Sequence, residues 1–131
     1  MKVEDVMILM GSFPAVEQKT ILKEALTEMG EANLGLVCII NEKQELLGLI
    51  TDGDLRRKLL KVQKPFSAFF IDDALIHAKQ DPITCRPEDN LKEVVQLMGE
   101  KQIWDLPVVG KDNQLVGLLH LHPAVKKVLE G

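Results

Sequence analysis

The sequence predicts a mixed α/β (α+β) fold made of two tandem β-α-β-β-α units that pack through their sheets as one compact module. Three observations predict it. First, "LLGLITDGDLRRKLL" (46–60) returns as "LVGLLHLHPAVKKVL" (115–129), a shift of 69 residues that sets His120 against Thr51. Second, the same shift carries "TILKEALTEMGE" (20–31) onto "DNLKEVVQLMGE" (89–100) without a gap, "LVCII" (36–40) onto "DLPVV" (105–109) and "VEDVM" (3–7) onto "DDALI" (72–76). Third, each copy follows one helical apolar stripe with two short apolar runs separated by a polar turn. A single unit of this size exposes too much apolar surface, so two in tandem bury their sheets together. The first copy occupies residues 1–62, and residues 63–131 hold the rest of the connector "KVQKPFSAFF" (61–70) and the second copy, from about residue 70.

Taken in order, Thr20 and Asp89 are placed to cap helices whose buried faces are Ile21, Leu22, Ala25, Leu26 and Met29 in one copy and Leu91, Val94, Val95 and Met98 in the other. "LGLVCII" (34–40) and "LPVV" (106–109) follow as buried strands, then the turns "NEKQ" and "GKDNQ", then second strands "ELLGLIT" (45–51) and "QLVGLLH" (114–120). A short helix closes each copy, capped by Asp54 in the first and opened by Pro123 in the second, where a missing N–H costs nothing. Phe66, Phe69 and Phe70 read mainly as an anchor of the connector on the core, with an interface to a partner domain as the alternative, and Met7, Met29 and Met98 fill the core. Trp104 has two open roles, packing or stacking on a ligand or partner.

Composition narrows the function classes. With 46% hydrophobic and 27% charged residues the chain is of the soluble globular type. Its longest apolar runs stop far short of the roughly 18 residues of a membrane span. No secretory signal is visible at "MKVEDVM", so a cytoplasmic location and no membrane partner are expected, and Cys38 and Cys85 read as free thiols. A net charge of −4 argues against a nucleic-acid partner, whose affinity rests on clustered cations.

Chemistry concentrates at the two strand ends. In "TDGD", Thr51 ends a strand and Asp54 stands at the following helix, so a hydroxyl, a carboxylate and free helix amides converge with Asp52 and Gly53 between them. A carboxylate accepts two hydrogen bonds from vicinal ribose hydroxyls, and helix amides suit phosphate. The alternative is that Asp54 only caps and Gly53 only turns. Arg56 and Arg57 follow, either reaching an anionic ligand or lying on a solvated face. The second copy has "HLHP" there, without the carboxylate. His120 and His122 share one side of a strand if the chain stays extended, and three roles compete for them: ligand contact, structural hydrogen bonding, or zinc binding with His77 or Cys85 arriving by folding.

These residues resemble the cystathionine-β-synthase (CBS) domain pair, a small-ligand sensing module. "DVM", "LKEALTEM", "LKEVVQLM", "LPVV", "LLGLITDGDL" and "LVGLLHLH" carry the resemblance, in this order and duplicated over essentially the whole chain. "TDGDLRR" together with "HLH" is similar to the C-terminal module of the arabinose 5-phosphate isomerases of lipopolysaccharide sugar synthesis, in which a sugar-isomerase domain precedes the pair. The resemblance implies that Thr51 and Asp54 match the Ser/Thr-x-x-Asp motif that holds phosphate and ribose. Related modules continue HLH with Asp, from which Pro123 departs.

The expectation is a regulatory, non-catalytic module that binds a nucleotide or nucleotide-sugar through Thr51, Asp52, Gly53, Asp54, Arg56, His120 and His122, with no catalytic residues, no metal and no required cofactor. The resemblance implies a CMP-sugar, the CMP-activated octulosonate of that pathway, as a feedback ligand, with AMP and ATP as rivals. It also implies a homodimer and a sugar-isomerase domain, of the same or another chain, as partner. The alternatives are a ligand-free structural or oligomerisation module, a free-standing adenine-nucleotide sensor, and a small metal-dependent enzyme using the histidines.

Overall fold

The computed structural model describes residues 1–61, 63 and 65–131. In chain order its elements are β1 (Ile8–Leu9), β2 (Ala15–Glu17), α1 (Leu22–Ala32), β3 (Leu36–Ile40), β4 (Leu46–Thr51), α2 (Asp52–Lys61), α3 (Phe66–Phe70), α4 (Leu91–Lys101), β5 (Asp105–Val109), β6 (Leu115–His120) and α5 (Leu121–Glu130), with 3-10 turns at Val3–Asp5, Ala74–His77 and Lys111–Asn113. Helices and two small sheets make the mixed α+β architecture that the sequence predicts. One sheet runs β2-β3-β4, with β2 parallel and β4 antiparallel to β3. The other runs β1-β6-β5, antiparallel throughout.

Two compact units result, and their borders cut across the repeat. A continuous unit holds Phe13–Pro82, and a split unit joins Met1–Ser12 to Ile83–Gly131. In the split unit the N-terminal segment docks on α4: Val3 N donates to Asp89 O at 3.0 Å, and Leu91 N donates to Met1 O at 2.9 Å. In the continuous unit the segment that follows the connector does the same for α1, with Ala74 N on Thr20 O and Leu22 N on Asp72 O, both at 2.8 Å. These matching bonds set Val3 against Ala74, so the expected overlay of "VEDVM" on "DDALI" slips by two residues. Backbone groups make the contact, and they leave little side-chain pattern for a sequence comparison to follow.

The helix caps differ from expectation by one residue. Ile21 precedes α1 without a side-chain cap, and Thr20 does not cap the helix but accepts the Ala74 amide at its carbonyl. Asn90 caps α4 by accepting the Glu93 amide at 3.1 Å, whereas the Asp89 carboxylate accepts the Arg86 amide at 2.9 Å. Both helices end on a left-handed residue, Asn33 and Gln102, each closing the preceding turn. The predicted apolar stripes bury Leu22, Ala25 and Met29 on α1 and Leu91, Val94 and Met98 on α4. Phe69 is fully buried and packs with Val37, Ile39 and Ile50 in the continuous unit's core, which anchors the connector as expected, while Phe66 is exposed. Among the described residues no helix is long and apolar enough to cross a membrane.

Candidate ligand-binding site

At the end of β4, Asp52 N donates to Gly35 O at 3.0 Å and turns the chain into α2. The Thr51 hydroxyl then accepts the Asp54 amide at 3.1 Å. Thr51 is therefore the residue that caps α2, and Asp54, expected as the cap, lies inside the first turn because the helix begins at Asp52. Its carboxylate takes Arg57 Nη2 at 2.8 Å. Partial burial pushes the Asp54 pKa up, but the Arg57 guanidinium, the Thr51 hydroxyl and the Lys79 charge outweigh that and hold it below the usual carboxylate value.

Asp54, Arg57, Lys58 and Lys61 follow the helical spacing that puts side chains on one face. Opposite them runs a strap formed by the chain leaving the 3-10 turn. Lys79 N donates to Leu49 O at 2.8 Å, and Leu49 N donates to Lys79 O at 3.0 Å. Gly48 permits this approach, since a Cβ there would stand 2.9 Å from Lys79 O. Helix face and strap enclose a cavity of about 350 Å³ lined by Asp54, Arg57, Lys58, Lys61, His77, Ala78 and Lys79. His77 is held by Asp72 at 2.9 Å from Nε2 and lies against the Phe69 ring, their centroids 4.4 Å apart.

The expected site residues separate on this geometry. Thr51, Gly53 and Asp54 gather at the start of α2. Asp52 borders a different cavity of about 360 Å³, together with Asn33, Gly35 and Leu55. Arg56 is exposed and borders neither, because two residues from Asp54 is the far side of a helix, whereas Arg57 is in place. Lys58, Lys61 and Lys79 were not singled out in the sequence, nor was His77 for this site. The 3, 4 and 7 spacing after Asp54 signals the two helical lysines, and nothing local signals His77 or Lys79.

In the split unit the same backbone carries other chemistry. Leu121 N donates to Trp104 O at 2.8 Å, as Asp52 does to Gly35, but the Trp104 side chain is 72% exposed and does not pack in the core. Asp105 replaces Leu36 as the ladder partner of the strand-end residue, and His120 replaces Thr51. His120 Nδ1 meets Asp105 Oδ1 at 2.6 Å, with the carboxylate 8% and the imidazole 33% exposed. His120 makes no side-chain cap to α5, and Pro123, at the position of Asp54, has no N–H for a cap to accept. His122 lies in the first turn of α5, exposed, so the extended arrangement that would put both histidines on one side of a strand does not form. Among the described residues no three His, Cys, Asp or Glu side chains form a metal-binding group. Burial and the Asp89 charge push the Cys85 thiol up to about 12, which keeps it protonated at neutral pH.

One strand-end geometry repeated on a duplicated scaffold defines a tandem-repeat class of module, and the comparisons give its family. The CBS domain family model matches residues 3–61 and 73–122, and the chain belongs to that family. It is similar to the arabinose 5-phosphate isomerase KdsD of Pseudomonas aeruginosa, 34% identical over 96% of this chain and 37% of that protein. The chain thus spans little more than a third of the length of the curated relatives it matches. Among solved structures it resembles CBSX2 in complex with AMP, with a TM-score of 0.84 and 26% identity over 98% of this chain and 96% of that one. A CBS domain-containing protein of unknown function from Bacillus anthracis shares the fold, with a TM-score of 0.85 and 18% identity over 99% and 94% of the two chains.

Proposed function

We propose that this chain is a regulatory module that binds a ribonucleotide or nucleotide-sugar in the Asp54 cavity and controls an attached arabinose 5-phosphate isomerase. The observation that carries the reading is the cavity itself: a carboxylate positioned at a hydroxyl-capped helix start, faced by cations of α2 and of the 77–79 strap. The carboxylate suits the vicinal hydroxyls of a ribose, and the cations suit phosphate. Likeness to the AMP complex of CBSX2 supports a nucleotide, and likeness to the isomerase KdsD supports the partner. On this reading the isomerase catalytic groups belong to a separate sugar-isomerase domain, the module works in the cytoplasm, and it pairs as a homodimer. Control follows if the ligand prefers one arrangement of the connector, since Lys61 at its start and His77 in the 3-10 turn that follows it border the cavity.

Isothermal titration and thermal shift with CMP, the CMP-octulosonate, AMP and ATP test the proposal. At least one of these ribonucleotides is expected to raise the apparent stability. Asp54→Ala is expected to cost on the order of 1.5–3 kcal/mol of its affinity, and the 2′-deoxy analogue most of the same energy. A wild-type chain indifferent to all four, or an Asp54→Ala variant that binds as tightly, would overturn it.

A further inference from the structure

The cavity carries more positive charge than its one carboxylate balances. Arg57 is paired with Asp54, and its guanidinium folds back over the first turn of α2, where a Cβ on Gly53 would stand 3.3 Å from both terminal nitrogens. Lys58, Lys61 and Lys79 form no ion pair among the described residues. Four cations therefore line one cavity of a chain whose net charge is −4, against the trend of the whole molecule. A single phosphate, or the phosphodiester of a nucleotide-sugar, brings fewer negative charges than this wall holds cations. A chain of two or three phosphates matches them. The Asp54 carboxylate also has an occupant already, so a ribose that uses it must compete with Arg57.

We propose that the cavity selects a ribonucleotide bearing two or more phosphates, and that Arg57 passes from Asp54 to a phosphate as the ligand enters, freeing the carboxylate for the ribose. This rests on the ribonucleotide reading above and adds to it the phosphate count and a specificity role for Arg57. The ion pair lies at a partly exposed site, so losing it changes folding little and ligand competition measurably. Arg57→Ala then acts with opposite sign on two classes of ligand. A bare nucleoside gains the carboxylate without competition, whereas a polyphosphate loses a charge-assisted contact.

Titration of the whole chain with adenosine, AMP, ADP and ATP, and with cytidine, CMP, CDP and CTP, tests this at two salt concentrations. Affinity is expected to rise from mono- to triphosphate in the preferred base series, and to fall with salt more steeply for the triphosphate. In Arg57→Ala the nucleoside of that series is expected to bind about two- to five-fold more tightly, the gain set by removing a screened ion pair, and the triphosphate about ten-fold more weakly, as for loss of a hydrogen bond between charged groups. Monophosphate binding as tight as triphosphate, or a variant that weakens nucleoside and triphosphate alike, would overturn this inference and leave the ribonucleotide reading standing. Absence of binding by every nucleoside and nucleotide would overturn both.

Discussion

The two strand ends share a backbone and differ in every functional side chain. Thr51 and His120 both end the last strand of a hairpin, and the next residue of each donates its amide to the equivalent carbonyl, Gly35 or Trp104. In the continuous unit a hydroxyl caps the helix through the Asp54 amide. In the split unit Pro123 removes that amide, and the strand-end side chain turns to Asp105. The difference teaches that His120 and Asp105 depend on each other as a pair. A histidine beside a buried leucine would leave a ring nitrogen without a partner, and Asp105 without His120 would leave a nearly buried carboxylate without its imidazole partner.

The largest test of the comparison lies in the core. Phe69 fastens the connector to the continuous unit, whereas among the described residues the split unit's core holds no aromatic side chain. Phe69→Ala is expected to cost about 3–5 kcal/mol, the range for emptying a buried aromatic site. Amide exchange should show protection lost from β3 and β4 well before β5 and β6. Equal loss in both sheets would mean that the two units unfold as one.

Next comes the exchange of one strand-end pair for the other. Asp105→Leu and His120→Thr are each expected to destabilise by about 2 kcal/mol, since each leaves one member of a charged hydrogen bond unpaired. The double variant copies Leu36 and Thr51, and it should return to within about 1 kcal/mol of the parent chain, as replacement of a whole buried pair often does. A double-mutant cycle from urea unfolding measures the coupling, and simple additivity of the two losses would show that the pair is not a unit.

Much of this molecule is legible in its sequence because repetition and periodicity are properties of side chains. The stripes of α1 and α4 and the apolar run from Leu46 to Ile50 announce themselves, and so does the repeat that sets residue 51 against 120. What stays hidden is held by backbone. The docking of Met1–Ser12 on the second copy uses amides and carbonyls, so the units exchange their leading segments without a sequence signal. The same is true of Lys79, which reaches the cavity through its bonds to Leu49. Asp105 was legible in principle, since hairpin register places it opposite His120, but an acidic residue opening a buried strand reads by itself as a strand edge.

The smallest effect belongs to titration. Burial raises the Asp54 pKa, but Arg57, Thr51 and Lys79 lower it further, so the folded value lies beneath the ordinary 3.8. A carboxyl whose folded pKa is below its unfolded one contributes stability that is fully present above the unfolded value and is lost as pH falls through the folded one. The window thus opens near pH 4 and extends downward. At the equivalent place the split unit has Pro123, which does not titrate, so this acid sensitivity belongs to the continuous unit alone. Because the ion pair is partly exposed, the contribution should stay below about 1 kcal/mol. Urea midpoints of the parent chain and Asp54→Asn, compared from pH 7 to pH 3, isolate it from the other carboxylates. The gap between the two proteins should narrow on acidification, and a gap that is constant or widens would show that Asp54 is not held in its ionised form by its neighbours.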